Sequence, residues 1–172
     1  LTSARIDGTD PIPLLEDLLG TWPELRINID CKSDAAMQPL IDTIRRTNCL
    51  DRICVGSFSD KRLRHIRAEF GSGLCTSMGP QEVVRLVIGS NSGIPLNPSR
   101  HALIAQVPVR QGPIPVVTSK SISRAHRLGI QVHVWTIDDP LRIGQLLDMG
   151  VDGIMSDDTR ALKDVFVARH LW

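Results

Sequence analysis

The stretch RINIDCK, residues 26–32, decides how this chain is read. As a β-strand it sends Ile27, Ile29 and Cys31 to one face and Asn28, Asp30 and Lys32 to the other, because successive strand side chains point to opposite sides. An apolar face suits packing against helices. A face carrying an amide, a carboxylate and an ammonium needs a different environment, and the rest of the chain has to supply it.

Working outward, similar β-like runs recur at Arg52–Phe58, Leu74–Ser77, Ala102–Val109, Gln131–Ile137 and Gly153–Ser156. Helical patterns lie between most of them. Ala35–Arg46 spaces Met37, Leu40, Ile41 and Ile44 by three and four residues. Asp60–Phe70 carries Leu63, Ile66 and Phe70, with Ser59 placed to cap it. Pro80 opens a helix to Ile88, and Thr118 or Ser119 caps one that Gly129 ends. Asp139 and Pro140 start another, ended by Gly150, and Thr159 caps the last, to about Ala168. Gly89–Arg100 and Gln111–Pro115 read as loops.

Strands alternating with helices predict βα units and a parallel sheet. A doubly wound sheet and part of a (β/α)8 barrel are both open on this pattern. The doubly wound form normally shows a glycine-rich phosphate loop after an early strand. Here GSNSG (89–93) follows a helix instead. The barrel reading gives the polar face its place: barrel interiors accept polar side chains at the C-terminal strand ends, where active sites sit.

The chain has 172 residues, enough for one domain over 1–172, and no domain boundary is visible in it. A net charge of +1 gives no argument for nucleic acid as a partner. No apolar run approaches the ~20 residues of a membrane span. Cys31, Cys49, Cys54 and Cys75 form no C-x-x-C pair, and they read as free thiols of a reducing compartment, which places the chain in the cytoplasm. Because the chain begins with Leu1, an upstream segment is expected.

With these residues placed, the chain resembles the glycerophosphodiester phosphodiesterase family. PIPLLEDLL (11–19) is similar to the family's segment before its third strand, with Leu14 where threonine is usual. INIDCK resembles its strand ending in a metal-binding carboxylate, one apolar residue and a lysine. VGSF (55–58), QVHVWTIDDP (131–140) and GVDGIMSDD (150–158) resemble three later strand ends. The resemblance implies an α/β TIM (β/α)8 barrel of the phospholipase C-like phosphodiesterase type. It also shows what these residues lack: the family's histidine-arginine-glycine motif, its glutamate-x-aspartate pair and its histidine-aspartate pair, which carry both acid/base histidines and two of three metal carboxylates. The expectation is therefore an incomplete barrel, strands three to eight, belonging to a longer parent chain.

The resemblance implies metal-dependent hydrolysis of a small glycerophosphodiester to glycerol 3-phosphate and an alcohol, within lipid and glycerol metabolism. Asp30 matches the third metal ligand, usually glutamate, and a hard cation such as Mg2+ or Ca2+ accepts either carboxylate. Lys32 matches the phosphate-binding lysine, and Trp135 the tryptophan at the pocket mouth. Phe58 makes an apolar wall, with Ser57 and Gln106 as further inward candidates. Strand parity groups Trp135 with His133 and Ile137, opposite Val132, Val134 and Thr136. Among the histidines, His65 and His126 read as solvent-facing on helices, His101 lies at the wrong strand end, His170 is near the C-terminus, and His133 reads as packing. Asp138, Asp157 and Asp158 have structural reasons as helix starts and turns. No residue of this chain is assigned as the catalytic acid or base, so these residues alone are expected to be inactive. The alternative is an inactive interaction scaffold whose unpaired sheet edges invite association with a second copy. A phospholipase D-like toxin fits less well, because no long apolar membrane-contacting loop is present.

Overall fold

Every strand-like run forms a strand, each shorter than its apolar pattern. The computed structural model describes residues 4–98 and 101–172. A small antiparallel hairpin, β1 (Arg5–Ile6) and β2 (Asp10–Pro11), leads into helix α1 (Leu15–Thr21). Strand β3 (Ile27–Asp30), helix α2 (Met37–Thr47), β4 (Ile53–Gly56), α3 (Asp60–Phe70), β5 (Cys75–Thr76) and α4 (Pro80–Ser92) follow. After β6 (Ile104–Pro108) comes a second hairpin, β7 (Arg110–Gln111) and β8 (Ile114–Pro115), then α5 (Ser119–Arg127). The chain ends with β9 (Gln131–Trp135), α6 (Pro140–Asp148), β10 (Gly153–Ile154) and α7 (Thr159–Ala168).

Two three-stranded parallel sheets result, ordered β3-β4-β5 and β6-β9-β10. A parallel bridge between Ser77 and Ile104 joins them, supported by Met78 N–H donating to the Ile104 carbonyl at 2.8 Å. The six strands thus follow one another in chain order along a single arc. The arc does not close: among the described residues, β3 and β10 each pair on one side only.

Apolar strand side chains on the outer face pack under the helices. Ile53 and Val55 of β4 meet Ile41 and Ile44 of α2 and Ile66 of α3. Ala105 and Val107 of β6, with Val132 and Val134 of β9, meet Ile122 of α5 and Ile143 and Leu146 of α6. Burying each of the larger side chains contributes about 1.5–3 kcal/mol. Because this set faces outward, the alternate set must face the inside of the arc.

The ends of the helices hold several differences from the local signals. Helix α7 is capped by Asp158, whose carboxylate accepts from Ala161 N–H at 2.9 Å, rather than by Thr159. Helix α4 continues through Gly89 to Ser92, where a loop is read from the sequence. Gly89 belongs there because α5 lies close: a Cβ on it would stand 2.8 Å from the Arg124 guanidinium. That guanidinium donates to the carbonyls of Gly89 (3.1 Å) and Leu96 (2.6 Å) and holds the following loop. Ser99 and Arg100, at the end of the predicted loop, lie outside the described residues, as do the first three residues of the chain. Helix α1 carries no local side-chain cap. Arg52, 33 residues downstream of Leu19, donates to the carbonyls of Leu19 (2.6 Å), Trp22 (3.1 Å) and Leu25 (3.2 Å) and satisfies its C-terminal end.

All four cysteines are free. Among the described residues, no helix is long and apolar enough to cross a membrane.

Candidate functional site

The register fixes which side chains look inward. Asn28 sits beside Cys54 and Asp30 beside Gly56, while Gln106 sits beside His133 and Pro108 beside Trp135. At the C-terminal ends of these strands a cleft of about 1200 Å³ opens, lined by Asn28, Asp30, Lys32, Phe58, Gln106 and Trp135 among others. Asp30, the last residue of β3, and Lys32, two residues beyond it, therefore both line the shared mouth.

Lys32 Nζ donates to Asp30 Oδ2 at 2.7 Å. The lysine is 78% exposed and the aspartate 30%, so the pair is a surface salt bridge worth at most about 1 kcal/mol. The ammonium can leave it for another anion at little cost. Asp30 Oδ1 differs: it is buried and, among the described residues, has no hydrogen-bond partner. A buried acceptor left so costs about 1–3 kcal/mol, more when charged. A hard cation takes such an oxygen readily, so Asp30 fits the role of one metal ligand. Among the described residues, no group of three or more histidine, cysteine or acidic side chains gathers around it.

Phe58 and Trp135 stand edge to face, ring centroids 5.8 Å apart at 77°. Lys32 Nζ lies 6.0 Å from the Phe58 centroid. Phe58 is 66% exposed, a large apolar ring held open beside a cation. Farther out, Val84 and Ile88 of α4 and Ile114 of β8 extend an apolar wall of the cleft. Their contribution comes from a helix and a hairpin far apart in the chain, which local periodicity cannot bring together.

Gln106 Nε2 donates to Asn28 Oδ1 at 2.8 Å and makes the cleft floor. Ser57 lines the cleft, but its hydroxyl is engaged: it donates to the Cys31 carbonyl at 2.7 Å and accepts from Arg62 Nε at 2.9 Å. Arg62 and Lys61 also hold Asp34, whose carboxyl lies below its ordinary value mainly through the Arg62 hydrogen bond. Beyond Trp135 the predicted alternation fails. The strand ends there, Thr136 lines the cleft, and Ile137 packs into the core below α6.

The histidines stand apart from the mouth. His65 is exposed on α3, and His101 and His170 are exposed as well. His126 Nε2 lies 2.8 Å from Asp152 Oδ2, which also accepts from Val132 N–H at 2.7 Å. His133 is half-buried against Gly153, where an added Cβ would stand 2.7 Å from its ring. Burial pushes its imidazole below the ordinary value, against a smaller opposing pull from Asp152.

Asp138 organises the turn after β10. It accepts from Ser156 Oγ (2.8 Å), Asp157 N–H (2.8 Å) and Asp158 N–H (3.3 Å), and these bonds, the serine's first, lower its carboxyl from 3.8. A depressed folded value means the turn is fully held above pH 3.8 and loosens as pH falls through the lowered value. Amide shifts of Asp157 and Asp158 followed by NMR should titrate with a midpoint below 3.8. A midpoint at or above 3.8 would contradict this account.

Comparisons with known proteins bear on this geometry. A model of the glycerophosphoryl diester phosphodiesterase family matches residues 10–161. The "Probable glycerophosphodiester phosphodiesterase 2" of Mycobacterium tuberculosis (strain ATCC 25618 / H37Rv) is 36% identical over 173 residues, covering 98% of this chain. The chain spans 65% of that relative's length. A crystal structure of a glycerophosphodiester phosphodiesterase from Parabacteroides distasonis superposes with a TM-score of 0.75 at 18% identity, covering 99% of this chain and 70% of that one. One from Agrobacterium tumefaciens gives 0.65 at 16% identity, covering 91% and 62%. At such identities the likeness shows the fold, an α/β arrangement of the TIM-barrel kind. The family match over most of the chain settles membership: this chain belongs to the glycerophosphoryl diester phosphodiesterase family.

Proposed function

We propose that this chain, acting as one folding unit over residues 1–172, supplies the metal and phosphate side of a site that hydrolyses small glycerophosphodiesters to glycerol 3-phosphate and an alcohol. The observation that carries the reading is the buried Oδ1 of Asp30, without a partner among the described residues, two positions from an exposed ammonium at the same mouth. Asp30 would hold Mg2+ or Ca2+ through that oxygen, with further oxygens from water or substrate completing a shell of six or more. A divalent cation there supplies neutralisation of phosphoryl charge and acidification of the attacking hydroxyl. Lys32, released from Asp30, aims its ammonium at the phosphoryl oxygens, where charge grows in the transition state. Phe58 and Trp135 close apolar edges around the substrate and exclude water from that charge. None of the described histidines reaches the mouth, so these residues bind and polarise the diester, while proton transfer needs groups beyond them. A cytoplasmic location agrees with the four free thiols.

The test is a calorimetric titration of the chain with Mg2+ and with Ca2+. Asp30→Asn, which keeps the shape but removes the charge, should weaken metal affinity about 10-fold or more. Equal affinity in both proteins would remove Asp30 from the metal site.

The one-sided pairing of β3 and β10 favours a second reading, an interaction scaffold that joins a further chain or a second copy at those edges.

A further inference from the structure

Two thiols beneath the cleft stand outside the chemistry proposed for the mouth. Cys54 of β4 and Cys75 of β5 are direct partners in the parallel register. Neighbouring strands lie about 4.8 Å apart, inside the Cα separation that a disulfide spans. Cys54 is also the partner of Asn28, so both sulfurs lie on the inner face of the arc. The two residues are paired across the ladder, and Gln106 Nε2 lies 3.9 Å from Cys54 Sγ. Cys54 is buried and Cys75 half-buried, so the second can be reached and the first cannot.

We infer that Cys54 and Cys75 form a dithiol modification site, which a low-molecular-weight disulfide converts to an intramolecular disulfide by thiol exchange.

The roles follow from the surroundings. The neighbouring Cys54 thiol, able to donate to a Cys75 thiolate, brings the Cys75 thiol down to about 7, while the Cys54 thiol is pushed up. A thiol titrating near ambient pH is the best attacking group in exchange. The other cysteines differ. Burial raises the Cys31 thiol, and Cys49 is fully buried with the Thr47 hydroxyl donating to it at 3.2 Å.

The step balances. The Cys75 thiolate attacks one sulfur of R–S–S–R, that S–S bond breaks, and RS⁻ leaves and takes a proton. Cys54 then gives its proton to solvent and attacks the Cys75 sulfur of the mixed disulfide, expelling the second RS⁻. Two protein thiols are oxidised to one disulfide and the small disulfide is reduced to two thiols. Through Gln106 the protein disulfide also touches the floor of the cleft.

The test treats the full chain with glutathione disulfide near neutral pH and reads intact mass and a peptide map. The wild type should lose two hydrogens, with the Cys54 peptide linked to the Cys75 peptide. Cys54→Ser should instead hold one glutathione on Cys75, because no resolving thiol remains. Cys75→Ser should be modified at least about 10-fold more slowly than the wild type. Circular dichroism checks that each variant is folded, and the wild-type map stands on its own if one is not. A link through Cys31 or Cys49, a wild-type mixed disulfide that never resolves, or no reaction with the folded wild type would each overturn the inference.

Discussion

Arg67→Ala is expected to destabilise the chain by about 3–5 kcal/mol, the cost of breaking a buried ion pair from one side. Arg67 reaches from α3 beneath the end of β5, where its side chain is 10% exposed and that of Glu82 11%. Its Nη1 donates to Glu82 Oε1 at 2.9 Å and its Nη2 to Glu82 Oε2 at 3.0 Å. Nη2 also donates to the Ser77 carbonyl at 2.8 Å, and Nε to Thr76 Oγ1 at 2.9 Å. Glu82 Oε2 in turn accepts from Gly79 N–H at 2.8 Å and so fixes the start of α4. Removing the guanidinium leaves a buried carboxylate with much of its compensation gone. For a chain of this size each kcal/mol is about 2–4 °C in Tm, so a fall of roughly 6–20 °C should appear in thermal melts. Arg67→Lys should recover only part, because an ammonium cannot repeat the fork of bonds. Arg67→Met with Glu82→Leu should recover more, since removing both charges avoids the uncompensated one. A single-variant loss below about 1 kcal/mol would show that the pair is not held as described.

Lys32→Ala is expected to weaken binding of glycerol 3-phosphate by about 10- to 100-fold with Mg2+ held constant, and to leave Tm unchanged. A hydrogen bond to a charged group contributes about 1.5–3 kcal/mol, and each 1.4 kcal/mol is tenfold in affinity. The salt bridge lost with Lys32 is exposed, so stability has little to lose. Lys32→Arg should retain most of the affinity, because the proposed phosphate role asks for a cation at the mouth. Calorimetry reads both constants. Unchanged affinity for the anion in Lys32→Ala would take Lys32 out of the phosphate site while leaving the role of Asp30 open to its own titration.

The two pairs differ in how legible they are. Asp30 and Lys32 are two residues apart, so an extended reading puts them on a common face; the strand itself ends at Asp30, and the structure still places both at the cleft. The same rule orients Gln106 and Trp135. It fails at Ile137, because the strand ends at Trp135 and alternation holds only while a ladder continues. Arg67 and Glu82 belong to different helices, and nothing in either local pattern marks a buried ion pair. Arg52 capping α1, Arg124 seated over Gly89 and Arg62 occupying the Ser57 hydroxyl are of the same kind.

Short-range chemistry in the sequence determined the alternation of strands and helices, most of the helix caps and the inward set of each strand, since these depend on neighbours a few positions away. Tertiary structure alone decided which guanidinium meets which carbonyl, how α4 and the β7–β8 hairpin extend the cleft, and that one oxygen of Asp30 is buried with no partner among the described residues. Those outcomes depend on distances between segments tens of residues apart, which take their values only once both cores have packed.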